Sequence, residues 1–250
     1  MTKSKDDLNI SFKGKTDGLV IKLNGKVIYP YKEAETKKEI NPNKLRTQLK
    51  AGVAANFASA INRMPPLRDT WKRWPVKSRV AYRNIVAANI KKCTAEHPMR
   101  WCLICPDSKI PLPKTVAVLD AKGVKIDIGP IAEKIDFYEN EKMVTASGIL
   151  SVYNPRDMES DGCINYPLGA EIKNLDLTQD ISVSYGFDDE MRENIAKYQR
   201  CIFFFTIVIG NEGGMTKRWF TADTFIFLLS NNTEGKLVGG EYSNIIGQDY

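Results

Sequence analysis

The sequence predicts an α+β protein in which an N-terminal β-hairpin and a basic α-helical hairpin precede an antiparallel, immunoglobulin-like β-sandwich. Three observations carry that prediction. Two alternating apolar segments joined by Asn-Gly open the chain; apolar residues then recur at helical spacing from residue 41; and from about residue 100 the period falls to two. A chain of 250 residues suits two modest domains. The expected divisions are residues 1–100 for the hairpin and helices, 101–230 for the sandwich, and 231–250 for a Gly- and Asn-rich flexible tail.

In "LVIKLNGKVIYPY" the pair Asn24-Gly25 separates Leu19, Ile21 and Leu23 from Val27 and Tyr29. Both central residues of a type I′ turn need positive φ, which Asn and Gly tolerate, so a hairpin is expected. A lone hairpin is marginal in water and needs a surface or another chain to lie on. Asn41-Pro42-Asn43 then marks a helix entry, followed by the stripe Leu45, Leu49, Val53, Phe57, Ile61 and Met64. Pro65-Pro66 stops that helix. The short "LRDTWKRW" places Leu67, Trp71 and Trp74 on one side and is closed by Pro75. Ser78 is suited to cap a further helix with the face Tyr82, Ile85, Val86, Ile90 and Cys93, which completes an αα-hairpin.

Beyond residue 100 the candidate strands are "RWCLIC", "TVAVLD", "VKIDIG", "KIDFYE", "TASGILSVYN", "ISVSYGF", "RCIFFFTIVIG" and "WFTADTFIFLLS". Turn signals such as "DAKG", "NPRDMESDG" and "GNEGG" separate them, a spacing suited to a sandwich.

Composition narrows the function classes. The opening "MTKSKDDLNI" has no apolar leader core, and the longest apolar run, "CIFFFTIVIG", has about half the length a membrane helix needs. A soluble, cytoplasmic protein with no membrane partner is expected. The five cysteines are sparse and odd in number, which suits reduced thiols. Charge is segregated. Residues 1–40 hold nine Lys/Arg against six Asp/Glu, residues 41–100 thirteen against two, and residues 101–250 fourteen against twenty-two. A strongly basic segment on an otherwise acidic chain suggests a polyanion partner or ordered contact between copies.

Catalysis has little to draw on. His97 is the single histidine, and the chain has no G-x-S-x-G, Walker A or H-E-x-x-H motif, so no catalytic residue and no cofactor is expected. Cys93, His97, Cys102 and Cys105 match the ligand count of tetrahedral zinc. If "WCLICP" is a strand, however, Cys102 and Cys105 face opposite sides, so buried thiols are the simpler reading. "DMESDG" imitates the first half of an EF-hand loop through Asp157, Glu159, Asp161 and Gly162, but the twelfth position is Leu168, and a polar turn explains it better.

The stretch "TWKRWPVKSRVAYRN" gathers Lys72, Arg73, Lys77, Arg79 and Arg83, and Lys91 and Lys92 extend it. These residues form a solvated face, a docking face for a partner protein, or a set of phosphate contacts. Trp71 and Trp74 already fit the packing stripe, so base stacking is not needed to explain them.

The order of "GKTDGLVIKLNGKVIYPY", "NPNKLRTQLKAGVAANF", "LRDTW" and "RNIVAAN", followed by a β-rich part containing Val152, Tyr153, Asn154 and Pro155, resembles a family of bacterial and phage-related proteins from Bacteroidetes-type genomes, a domain of unknown function. Either Arg46 or Lys50 takes the family's basic position in the first helix. The resemblance implies a building block of a virion or mobile element, with copies of itself or other assembly proteins as partners and the particle as its final location. The alternatives from the residues alone are a DNA-binding protein using the basic helical face and a surface- or carbohydrate-binding sandwich.

Overall fold

The computed structural model describes residues 19–24, 27–32, 41–74, 80–141, 143–172 and 176–242. The chain divides into two compact units, Met1–Asn41 and Pro42–Tyr250. In the first, β1 (Leu19–Asn24) and β2 (Val27–Lys32) pair antiparallel. Asn24 lies opposite Val27, so it is the last paired residue of its strand and not one of the two central turn residues.

The second unit begins with α1 (Pro42–Arg63), α2 (Pro65–Arg73) and α3 (Ala81–Asn89), the last continued by a 3-10 turn, Ile90–Lys92. Pro65 and Pro66 end one helix and start the next, because the first helical position needs no amide hydrogen and proline's fixed φ suits it. Among the described residues, three helices therefore stand where a hairpin of two was expected. Only the second half of the predicted α1 stripe is buried, through Phe57, Ile61 and Met64, with Ala54 and Ala58 buried beside them. Leu45 and Leu49 remain 42% and 47% exposed. Pro75 and Ser78 lie outside the described residues.

The strands are β3 (Thr115–Asp120), β4 (Gly123–Ile128), β5 (Met143–Pro155), β6 (Cys163–Glu171), β7 (Ile181–Gly186), β8 (Tyr198–Gly210), β9 (Thr216–Trp219), β10 (Asp223–Asn231) and β11 (Leu237–Tyr242), with α4 (Asp189–Ala196) between β7 and β8. They form a single antiparallel sheet in the order β6-β5-β8-β10-β11-β3-β4-β7, with β9 added alongside β8. The two end strands, β6 and β7, approach each other, so the sheet curls into a nearly closed barrel. This is one continuous hydrogen-bonded path, in place of the two stacked sheets expected of an immunoglobulin-like sandwich. Strands in a sheet are rotated by roughly 20–25° against their neighbours, and over eight strands that twist brings the edges round.

The sheet has two cores. Inside the barrel lie Leu119, Ile126, Val144, Ala146, Leu150, Val183, Tyr185, Phe203, Phe205, Ile207, Phe225 and Phe227. On the outer face of β5 and β8 the three helices cover Ile149, Tyr153, Ile202, Phe204 and Val208. The rings of Phe57 and Phe204 meet there at 5.1 Å and 60°. Gly148 is required at its place, because a Cβ there would stand 2.5 Å from Cζ of Phe203.

Several local expectations differ from the structure. "RWCLIC" and "KIDFYE" are not strands. The first is held as a loop by Asn89, whose side chain accepts from Leu103 N at 2.7 Å and donates to Leu103 O at 2.9 Å. The second is a loop that follows the 3-10 turn Ile131–Glu133 and is fastened by Arg218 at Asp136 O. The helices share their core with the sheet, and the chain divides into compact units after Asn41. Within the stretch read as a loose tail, β11 pairs with β10 and β3, and residues 243–250 lie outside the described residues.

Candidate functional site

The basic stretch lies on α2 and α3. Leu67, Thr70 and Trp71 face inward from α2, which leaves Lys72 and Arg73 outside; Ala81, Asn84 and Ile85 do the same for α3, which leaves Arg83 exposed. Trp71 is fully committed to the interior, its indole N–H donating to Ile104 O at 2.9 Å. Buried Asn84 ties the two helices by donating to Trp71 O at 3.2 Å. Lys91 is exposed and Lys92 half-buried on the following 3-10 turn. Asp69 accepts from Lys72 Nζ at 3.1 Å and lies 3.8 Å from Arg68 Nε, so its carboxylate tempers one of these charges and that of neighbouring Arg68. Lys77 and Arg79 lie outside the described residues.

Acidic residues gather elsewhere on the surface. Asp188 caps α4 by accepting from Met191 N at 2.7 Å, and Asp189, Glu190 and Glu193 follow on the helix. Carboxylates in the first turn complement the positive end of the helix dipole. Asp157, Glu159 and Asp161 project from the turn after β5. Asp157 is occupied by its own turn, accepting from Glu159 N, Ser160 N and the Ser160 hydroxyl. Those donors hold its carboxyl below the usual range, the Ser160 hydroxyl most of all.

The four residues weighed as zinc ligands do not converge. Cys93 and Cys102 bring their sulfurs to 3.7 Å. Cys105 points instead to Phe220 O at 3.5 Å, and the His97 ring stacks on Tyr153 at 4.1 Å with Nδ1 3.0 Å from Pro98 O. Among the described residues no three His, Cys, Asp or Glu side chains stand close enough together to hold a metal ion. Cys102 holds the Cys93 thiol below its ordinary value by hydrogen bonding, with the charge of Lys50 assisting against burial. The same hydrogen bond, together with burial, pushes the Cys102 thiol up.

A groove between α1 and β6 had no counterpart among the sequence motifs. Gln48, Leu49, Gly52, Val53 and Asn56 form one wall, and Glu96, Asp161, Cys163 and Asn165 the other, around a volume of about 430 Å³. It continues past Ser59 and Arg63 into a further 210 Å³. Asn165 is fixed by the Ser151 hydroxyl, which donates to its Oδ1 at 2.5 Å. The groove escaped notice because β6, "CINYPLGAE", carries Pro167 and Gly169 and reads as irregular. Pro167 is tolerated there because β6 ends the sheet path.

One end of the barrel is fastened by Arg156, which donates to Ala196 O, Tyr198 O and Leu229 O at 3.2, 3.1 and 2.9 Å. Asn154, two residues before it, adopts φ +58°, a left-handed conformation that asparagine tolerates, and donates to Gln199 across the ladder at 3.2 Å. The Val152-Tyr153-Asn154-Pro155 element is therefore the corner where β5 leaves the sheet. No helix among the described residues is long and apolar enough to cross a membrane. Comparison with protein-family models, with curated proteins and with solved structures finds no match for this chain.

Proposed function

We propose that this chain is a non-enzymatic structural protein of a phage virion or phage-like particle, acting through contacts with copies of itself or with other assembly proteins. The observation that carries the reading is the placement of opposite charges on different elements of the second unit. Lys72, Arg73, Arg83 and Lys91 line the outside of the helical layer, whereas Asp157, Glu159, Asp161, Asp189, Glu190 and Glu193 lie on the turn after β5 and on α4. Complementary patches at different places on one molecule favour head-to-tail contacts, which build rings or filaments. The two-stranded hairpin, whose outer edges pair with no other described strand, adds a second means of joining a neighbour. Sedimentation of the purified chain over a range of concentration and salt tests this. Growth of the assemblies with concentration, weakened by salt, is expected; a monomer under every condition, with no particles by negative stain, would defeat it.

The second reading is DNA binding through the basic helical face, favoured by the outward placement of Lys72, Arg73 and Arg83. With Trp71 buried, such binding rests on phosphate contacts and carries little sequence preference. Its affinity should fall steeply with salt. Neutralising Lys72, Arg73 and Arg79 should flatten the log–log slope by about 0.9 for each phosphate that is no longer neutralised. Salt-independent binding, or none, removes this reading and leaves the first untouched.

A further inference from the structure

We propose that Cys93 and Cys102 form a reversible disulfide that staples the segment between them along the wall of the α1–β6 groove. This stands apart from the assembly reading and does not depend on it. The two sulfurs lie 3.7 Å apart and both residues are buried. A disulfide needs about 2.05 Å, so the sulfurs must approach by roughly 1.7 Å, within reach of side-chain rotation. The intervening backbone is already folded back on itself. Met99 N donates to Lys92 O at 3.1 Å, Thr94 N to His97 O at 2.9 Å, and Cys93 bridges Pro98. The bond therefore closes a loop that the native chain has closed without it.

The remaining thiols are placed differently. Cys105 and Cys201 are as fully buried as Cys93, but Cys105 turns to Phe220 O, and burial pushes its thiol up to about 12. Cys163 is half-buried on the groove wall, and burial holds it at about 12 as well. Cys93 has a second sulfur 3.7 Å away to resolve a mixed disulfide, and its neighbour and Lys50 hold its thiol low.

The oxidant is a low-molecular-weight disulfide such as oxidised glutathione. Cys93 is fully buried, so the segment opens locally before its thiolate attacks one of the oxidant's sulfurs, forming a mixed disulfide and releasing one glutathione thiolate. Cys102 then gives up its proton and attacks the Cys93 sulfur, which releases the second. Two protein thiols are oxidised, one glutathione disulfide is reduced to two thiols, and the protein's two protons end on them. Ala95 and Glu96 line the groove, so the bond fixes the part of the wall they form.

The test is to equilibrate the native full-length chain with graded glutathione disulfide, then count free thiols after unfolding and map the linked peptides. Loss of two of the five thiols, with Cys93 joined to Cys102 and reversal by reduced glutathione, is expected. Cys93→Ser and Cys102→Ser should each abolish the loss, whereas Cys201→Ala should leave it intact. Persistence of all five thiols in the native protein, or a map joining Cys93 to Cys163, overturns the proposal. If the serine variants fail to fold, the peptide map of the unaltered chain decides by itself.

Discussion

β8 and β3 belong to one sheet yet bury themselves very differently. From Cys201 to Gly210 every residue of β8 is buried, because the barrel interior covers one face and α1–α3 the other. β3 alternates, with Ala117 and Leu119 inside while Val116 and Val118 stand 50% and 52% exposed. A strand covered on both faces reads as an unbroken apolar run, and one covered on a single face reads as alternation. The difference teaches that the helical layer is part of what makes β5 and β8 hydrophobic strands. Its removal would leave Ile202, Phe204 and Val208 facing water.

That contrast can be broken most severely at the doubly covered strand. Phe204→Ala removes a fully buried ring that meets Phe57, and an unfolding free energy lower by about 3–5 kcal/mol is expected in urea titration. A decrease of less than about 1 kcal/mol would mean that the helices do not pack there. Next comes the clamp of β9. Glu141 is almost wholly buried and accepts from Arg218 Nε at 2.7 Å, while Arg218 also donates to Asp136 O. Glu141→Ala strands that guanidinium and should cost about 3 kcal/mol by the same measurement. Gly148→Ala forces a methyl group against Phe203 and should cost about 1–3 kcal/mol. Val118→Ala, on the face that no described element covers, should change stability by less than about 0.5 kcal/mol.

Alkaline melting sharpens the same comparison. Burial raises the Cys105 thiol from 9.0 to about 12, and Cys163 likewise. The unfolded chain therefore releases these protons before the folded one does. Stability from keeping the thiols neutral is complete below about pH 9 and is lost as pH climbs towards 12. Melting temperature should fall across that window, and a Cys105→Ala, Cys163→Ala chain should lose less of it.

Much of the fold was legible where local chemistry and burial agree. The prolines at 65 and 66, the alternation of β3 and the long apolar run of β8 each carry a local cause, and each element stands where its pattern lies. β6 was illegible because an end strand with Pro167 and Gly169 meets fewer demands than an inner one. α4 shows little period because it is only two turns long, although Asp188, Asp189 and Glu190 spell a helix start. Whether strands stack as two sheets or curl into one depends on which edges meet, and that is set by contacts far apart in sequence. The site fared similarly. The basic residues of the helical face were readable from charge alone, whereas the groove and the Cys93–Cys102 approach needed the chain's path between α3 and β6.

The first turns of α1 carry one more consequence. From Asn41 to Leu49 every residue is exposed, so this stretch buries little side-chain surface and leans on intrinsic propensity and on its continuity with the anchored half. Amide hydrogens there should exchange with deuterium far sooner than those of Ala54–Ile61. Any binding partner that seats itself along Leu45 and Leu49 would announce its presence as a slowing of that exchange, before any change in the rest of the molecule.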